Sequence, residues 1–523
     1  MAGGVEAGSA PAGPVLAALD LGTNSFHLVV ARVRPNGYDV VTREKESIRL
    51  GHGGGDMKHL TTDAMDRGIA ALARMKQIAD AHGAPLRAVA TSAVREAENA
   101  REFLDRACDE SGVEIEIISG VEEARLIHLG VLQSVPAFDR RLLLVDIGGG
   151  STEVLVGEQG TTLAARSFKL GAVRLTDRFF PGGVTTPASV RDCRSFARSI
   201  LAVFEREVAE LGFDIAIGSS GTAETMARLV QAQQGTSEPR TFNLFEISRA
   251  ELDAMTELLV SKRTPASRMS IRGLEANRAD IIPAGAIVLQ AVAEAFGIER
   301  LTFSESALRE GVLLDTIARQ QEGALHHLRD VARRSVEALA ARCDDDVAHS
   351  HRVAALALQL YDETQSLHGL ANEGRDALEA AATLANVGLV ISHSKHHLHS
   401  YYVVRNSELA GLTDDEIEVI AQVARYHRKS GPKPSHPEFQ RLAEHEQHLV
   451  RTLAGLLRVA IGLDRSHDGR VVAVHAARRG RRLVIEPVAR DGADVSLEAY
   501  TAQERSTLLA DVLGMPIEVI AAR

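Results

Sequence analysis

Apolar and polar positions follow one pattern before about Gly323 and another after it. In the first part, apolar residues come in short dense runs ended by Gly, Asn, Ser or Asp, which predicts strands joined by tight turns. One such phrase occurs twice. Ala18-Leu19-Asp20-Leu21-Gly22-Thr23-Asn24-Ser25 leads into Phe26-His27-Leu28-Val29-Val30, and Leu144-Val145-Asp146-Ile147-Gly148-Gly149-Gly150-Ser151 leads into Thr152-Glu153-Val154-Leu155-Val156. Asp20 and Asp146, Gly22 and Gly148, and Ser25 and Ser151 fall in step. A duplication of this kind predicts two lobes on one plan, facing across a cleft.

Other segments fit between and after the copies. Arg87 to Ala97 reads as a buried strand passing into a helix. Glu114 to Gly120 reads as a strand that opens into a helix from Val121 to Gly130. Ile215-Ala216-Ile217-Gly218-Ser219-Ser220-Gly221-Thr222-Ala223-Glu224 reads as a strand entering a helix from Glu224 onward. Beyond Gly323 the spacing turns helical, as in Val331 to Val336 and His351 to Leu358. Arg478-Arg479-Gly480-Arg481-Arg482 reads as a hairpin tip between strands Val471–Val474 and Leu483–Ile485, or as a charged ligand patch. These divisions give a disordered leader over residues 1–14, lobes over 15–135 and 136–322, a helical domain over 323–467 and a small α/β segment over 468–523.

A chain of 523 residues implies about three or four domains. Three cysteines far apart argue against a disulfide framework or a thiolate zinc site. No apolar run suits a membrane span, and the N-terminus lacks the order of a signal peptide, so a cytoplasmic protein is expected. The net charge of −11 argues against broad nucleic-acid binding. It does not argue against an anionic ligand, because local amides and cations decide that.

The repeated glycine turns are where chemistry enters. A dinucleotide-binding glycine loop runs from strand to helix, whereas these turns continue as strands. At such a hairpin tip, glycines let the backbone approach a ligand and successive amides can cradle an anion. The plainer alternative is a tight hairpin with a capping Asp. Glu122 and Glu123 fall in a first helical turn, where the helix dipole alone favours acids. Ser219 to Thr222 offer amides and hydroxyls at a helix start, suited to phosphate or to simple capping.

From about Val15 to about Ile317 the chain resembles the exopolyphosphatase and guanosine-pentaphosphate phosphohydrolase family. The phrases that carry the resemblance are LDLGTNSFHLVVARV, ATSAVREAEN, EIISGVEEARLIHLGV, LLVDIGGGSTEVLVG, FPGG, GSSGT and ALREGVL, in the family's order. The resemblance implies a duplicated, two-lobed α/β fold of the ribonuclease-H-like actin, sugar-kinase and Hsp70 ATPase superfold. It implies that Glu123 activates water, that Asp146 and Glu153 hold magnesium, and that Arg95 contacts phosphate. It also implies phosphate-binding roles for Asn24, Ser25, Gly148, Gly149, Gly150, Ser151, Ser220, Gly221 and Thr222.

The activity implied first is exopolyphosphatase, releasing terminal orthophosphate from inorganic polyphosphate. Hydrolysis of guanosine pentaphosphate is the alternative, and a non-catalytic sensor of either anion is the reading from another class. The implied partners are these anions and a second copy of the chain, with no nucleic acid and no membrane. One departure from the family is Glu305-Ser306 before Ala307, where Asp-Gly is usual.

The helical region resembles an HD-type bundle whose metal chemistry is lost. His351 survives, but Ala385-Asn386 replaces the central His-Asp pair and Ile461 a later aspartate. The stretch His393-Ser394-Lys395-His396-His397-Leu398-His399-Ser400 reads as a solvated loop. Its alternative is a basic channel shared with Tyr426-His427-Arg428-Lys429 and Lys433.

Overall fold

The repeated phrase seeds two sheets. The computed structural model describes residues 13–34, 37–53, 57–235, 239, 241–320, 325–370, 372–407, 409, 412–433 and 435–521. The leader assigned to residues 1–14 therefore lies almost wholly outside the described residues. The chain divides into two compact units, with the boundary between Leu325 and His326.

In the first unit, β1 (Val15–Leu21), β2 (Ser25–Arg34), β3 (Gly37–Ser47), β4 (Leu86–Ala90) and β5 (Ile115–Ile117) form one sheet in the order β3–β2–β1–β4–β5. The second sheet contains β6 (Leu142–Ile147), β7 (Thr152–Glu158), β8 (Thr161–Phe168), β9 (Ile215–Ser219), β10 (Glu246–Ser248) and β11 (Arg300–Phe303), in the order β10–β11–β9–β6–β7–β8. In both, the first three strands form an antiparallel meander and the first strand also pairs in parallel with a later one. Only the edge strand β10 breaks the correspondence.

The first lobe carries helices α1 (Thr62–Ala81), α2 (Ser92–Glu96), α3 (Ala100–Ser111) and α4 (Gly120–Ser134). Helices α5 (Ala172–Phe179), α6 (Pro187–Leu211), α7 (Ser220–Gln234), α8 (Arg249–Ser261), α9 (Pro265–Arg268), α10 (Ile282–Ala295) and α11 (Leu308–Gln320) follow. Strands β1 and β6 are apolar on both faces because each sheet is covered on both sides. Ala17, Leu19 and Leu21 of β1 pack towards α1 and α3. Leu16 and Ala18, on the other face, share a core with α4, α11 and the inner face of the second sheet at Leu142, Leu144 and Leu155. Leu143, Val145 and Ile147 face α6, α7 and α10.

Helix α11 crosses the expected division of the chain. It follows the last strand of the second sheet yet packs on β1, β2 and α4. Helix α7 begins at Ser220 rather than Glu224, so Ser220, Gly221 and Thr222 form its first turn. Near the departure from the family, Glu305 accepts hydrogen bonds from the Thr241 hydroxyl and the Phe242 amide, and the Ser306 carbonyl accepts one from Ser304.

The second unit buries Val353, Leu360, Leu378 and Leu457 of its helices in the same core as Val474, Leu483 and Ile485 of a small sheet. That sheet comprises β12 (Val471–Arg479), β13 (Arg482–Ala489) and β14 (Ile517–Val519). Arg479 pairs directly with Arg482, so the arginine run is indeed a hairpin tip on longer strands. Of the histidine stretch, only His393 to Lys395 is an exposed loop. His396 to Arg405 is a helix, and His396 and His397 are buried beside His427. His351 is half-exposed and paired with Glu337, while His349 of the same helix is buried and bound to Asp464 at 2.7 Å.

Candidate active site

The two glycine turns adopt the same local closure. The Gly22 amide donates to the Ser25 carbonyl at 3.2 Å, and the Gly148 amide to the Ser151 carbonyl at 3.0 Å. The tips face each other across the lobes. A methyl group on Gly150 would lie 2.1 Å from the Ser92 hydroxyl and 2.7 Å from that of Thr23, and one on Gly149 would lie 3.2 Å from the Asn24 amide nitrogen. These glycines are there for close approach. A cavity of about 150 Å³ lies between the lobes.

Strand register places the carboxylates. Across the second sheet, Ser219, Asp146, Glu153 and Ser167 are successive partners on β9, β6, β7 and β8. Directly opposed residues share a face with Cβ atoms about 5 Å apart. Asp146 accepts hydrogen bonds from Ser219 and Ser220, both at 2.5 Å, and Glu153 accepts one from Ser167 at 2.7 Å. Ser220 has a φ of 65°, in the left-handed region. Glu123 enters from the first turn of α4, whose N-cap Ser119 accepts from the Glu122 amide. Arg95 donates to Glu123 at 3.1 Å and to the Ile118 carbonyl at 2.8 Å.

The first sheet supplies a row that runs from an acid to bases. Asp20, His27 and Lys45 are successive partners on β1, β2 and β3. His27 also accepts a hydrogen bond from Arg309, and Arg278 lines the same cavity.

The resulting electrostatics are polarised. Burial, aided by Asp146 and opposed by Arg95, raises the Glu123 carboxyl to about 7. Burial raises Asp146, Glu153 and Asp20 as well, the last two also by repulsion from Glu123 and Asp146. On the basic side, burial together with the neighbouring cations lowers His27 to about 3 and also depresses Lys45. Arg278 is lowered by its burial. One side of the cleft is thus short of a cation and the other short of an anion.

Among the described residues, no three His, Cys, Asp or Glu side chains converge on one metal position. Two adjacent carboxylates nevertheless suit magnesium, which takes few protein ligands and completes its shell with water and phosphate oxygens. The unpartnered buried Oδ1 of Asp20 and the raised carboxylates fit such an ion.

Of the residues singled out in the sequence, Asn24, Ser25, Glu123, Asp146, Gly148, Gly149, Gly150, Ser151, Ser220 and Gly221 line the cavity. Arg95 and Glu153 do not line it: Arg95 pairs with Glu123, and Glu153 is buried opposite Asp146 on the neighbouring strand. Thr222 does not line it; its hydroxyl donates to the Ile147 carbonyl at 3.3 Å. Sequence reasoning assigned nothing to Asp20, His27, Lys45, Arg278 or Arg309. The in-step match of Asp20 with Asp146 signalled the first of these, but the basic side depends on strand register and on residues far along the chain.

Residues 29–320 match the Ppx/GppA phosphatase family and residues 331–486 match domain III of Ppx/GppA phosphatases. The chain is 31% identical over 459 residues to a guanosine-5'-triphosphate,3'-diphosphate pyrophosphatase of Photobacterium profundum, spanning 88% of each. It is likewise 31% identical over 419 residues to the protein of that name from Vibrio cholerae, spanning 80% of this chain and 81% of the relative. Among solved structures, an exopolyphosphatase from Cytophaga hutchinsonii is 29% identical with a TM-score of 0.55, over 59% of this chain and 99% of that one. The Aquifex aeolicus member of the Ppx/GppA family is 26% identical with a TM-score of 0.51, over 59% of this chain and 99% of that one.

Proposed function

Because the chain belongs to the Ppx/GppA phosphatase family, whose members are hydrolases of phosphoric anhydrides, we propose that this cleft removes the terminal phosphoryl group of an anhydride-linked phosphate chain. The observation that carries the reading is the polarised cleft, acidic on one side and basic on the other across two facing glycine turns.

Each part has a task. Phosphoryl transfer needs an aligned nucleophile and stabilised charge on the phosphoryl oxygens more than covalent help. Glu123, raised to about 7, accepts a proton from the attacking water near neutral pH. Arg95 orients that carboxylate and donates charge-assisted hydrogen bonds to the phosphoryl oxygens. The amides of Gly148 to Ser151 and of Ser220 and Gly221, with Asn24 and Ser25, cradle the terminal phosphate. Asp146 and Glu153 hold magnesium, which when bound neutralises charge on the phosphate oxygens. Lys45, Arg278 and Arg309 take the remaining, leaving phosphates.

Guanosine pentaphosphate and inorganic polyphosphate both present such a terminus. The relatives matched over most of the chain are named for the nucleotide, which supports taking it first. Polyphosphate is the second reading, favoured by the name of the Cytophaga structure. The second unit is read as an HD-like domain without a metal site of its own, since Ala385 and Ile461 cannot ligate. A homodimer and a cytoplasmic setting belong to the same proposal.

The test compares the wild-type chain with Glu123→Gln for orthophosphate release, with magnesium, from guanosine pentaphosphate, long polyphosphate and ATP. Release from either of the first two, abolished by the substitution, supports the reading and ranks the substrates. Binding without release from any of them makes the cleft a sensor and overturns it.

A further inference from the structure

The neighbour of Glu123 points elsewhere. Glu122 lies about 100° round α4 and is buried away from the cleft, where Arg125 clasps it through two hydrogen bonds, Nε to Oε2 at 2.8 Å and Nη2 to Oε1 at 2.7 Å. The same Nη2 reaches Oδ1 of Asp315 on α11 at 2.7 Å. The other oxygen of Asp315 receives Arg87 of β4 at 2.6 Å and Arg319 at 2.9 Å. Arg87 in turn holds Glu116 of β5. One carboxylate is therefore shared by three guanidinium groups, and it connects three elements. Glu122, Arg125 and Asp315 keep only 2%, 7% and 1% of their side-chain surface exposed.

Below this chain the two helices touch at the backbone. A methyl group on Gly311 of α11 would lie 1.8 Å from the Leu126 carbonyl oxygen of α4, and one on Gly130 would lie 2.2 Å from that of Ala307. The start of α11 also reaches the cleft, through Leu308 and Arg309. Burial opposes the charge on Asp315, but Arg125, Arg319 and Arg87 outweigh it and hold the carboxyl well below the usual range. It is ionised at any working pH.

Stability alone is a weak reason for such a network, because apolar replacements of buried ion pairs are often neutral or stabilising. Fixed geometry is a better one. The clasp sets the rotation and height of the first turn of α4, and that turn aims Glu123. We propose that Asp315 is a positioning residue for Glu123: it locks α4 to α11 and β4 so that the base meets the attacking water in line with the terminal phosphate. The inference rests on the assignment of Glu123 as the base.

The experiment compares Asp315→Asn, Asp315→Glu and Glu123→Gln in the full chain, with kcat and KM for guanosine pentaphosphate and polyphosphate under saturating magnesium. Thermal unfolding reports the folded fraction. A misplacement on the order of 1 Å costs about 100-fold in rate. Asp315→Asn is therefore expected to lower kcat by about ten- to 100-fold with KM within about twofold, and Asp315→Glu to recover part of it. If Asp315→Asn keeps kcat within about twofold while Glu123→Gln is inactive, the positioning role is wrong and the base assignment stands. A loss explained by the folded fraction, or a rise in KM equal to the fall in kcat, overturns the role too. Wild-type turnover by Glu123→Gln removes the base assignment itself. Should Asp315→Asn not fold, Arg125→Lys, which keeps the charge but loses the two-pronged clasp, is judged by the same criteria.

Discussion

Removing the proposed base should stabilise the metal-free protein at alkaline pH. Glu123 is buried with Asp146 and Glu153 nearby, and its carboxyl stands at about 7 against an ordinary value near 4.5. A group raised in this way binds more protons in the folded than in the unfolded chain between those values. Its contribution is thus fully present below about pH 4.5 and is lost as pH rises through about 7. The loss amounts to about 3 kcal/mol, at about 1.4 kcal/mol per tenfold change in proton affinity. Glutamine keeps the shape without the charge. With a chelator present, wild type and Glu123→Gln should unfold at similar temperatures at pH 5, and the variant should gain several degrees over wild type at pH 8. Adding magnesium should narrow the gap, because a cation held by Asp146 and Glu153 relieves the same repulsion and stabilises the state that binds it. The assay is a thermal unfolding series from pH 5 to 8, with chelator or magnesium. Unfolding temperatures within a degree of each other at pH 8 with chelator would refute the electrostatic reasoning, since burial would then not be holding an unwelcome charge at position 123.

Three further outcomes are expected. Ser167→Ala removes the hydrogen bond that orients Glu153 and should raise the magnesium concentration for half-maximal release by about tenfold or more; an unchanged requirement would take Glu153 out of the magnesium site. Gly150→Ala puts a methyl group 2.1 Å from the Ser92 hydroxyl and should spread the facing turns, lowering kcat by about tenfold or more, as measured by steady-state phosphate release. Arg278→Ala deletes a partly buried cation beside Gly221 and should raise KM by about tenfold with little change in kcat, the mark of binding shared by ground and transition states; a fall in kcat alone would move Arg278 towards the transferred phosphoryl.

The parts legible in the sequence are those whose cause is local. Asp20, Gly22 and Ser25, and again Asp146, Gly148 and Ser151, mark a strand end and a turn by residue type and spacing. Chain chemistry within a few residues decides such features. The acids Glu122 and Glu123 of the first turn of α4 are readable for the same reason, whereas their Ser119 cap reads in the sequence as part of the preceding strand. The His396 helix was not, because its polar residues suit a solvated loop and only packing against His427 reveals that they are buried.

What the sequence determines alone, then, is the doubled plan, the glycine turns and the acids beside them, because turn geometry and strand alternation are settled over a handful of positions. The tertiary structure decides the rest. Register between β1, β2 and β3 sets Asp20, His27 and Lys45 in one row. The return of α11 onto the first sheet brings Arg309 to the cleft and Asp315 to Arg125 across 190 positions of chain. No local rule contains that information, since residues so far apart meet only when two sheets and the helices between them bury their apolar faces together.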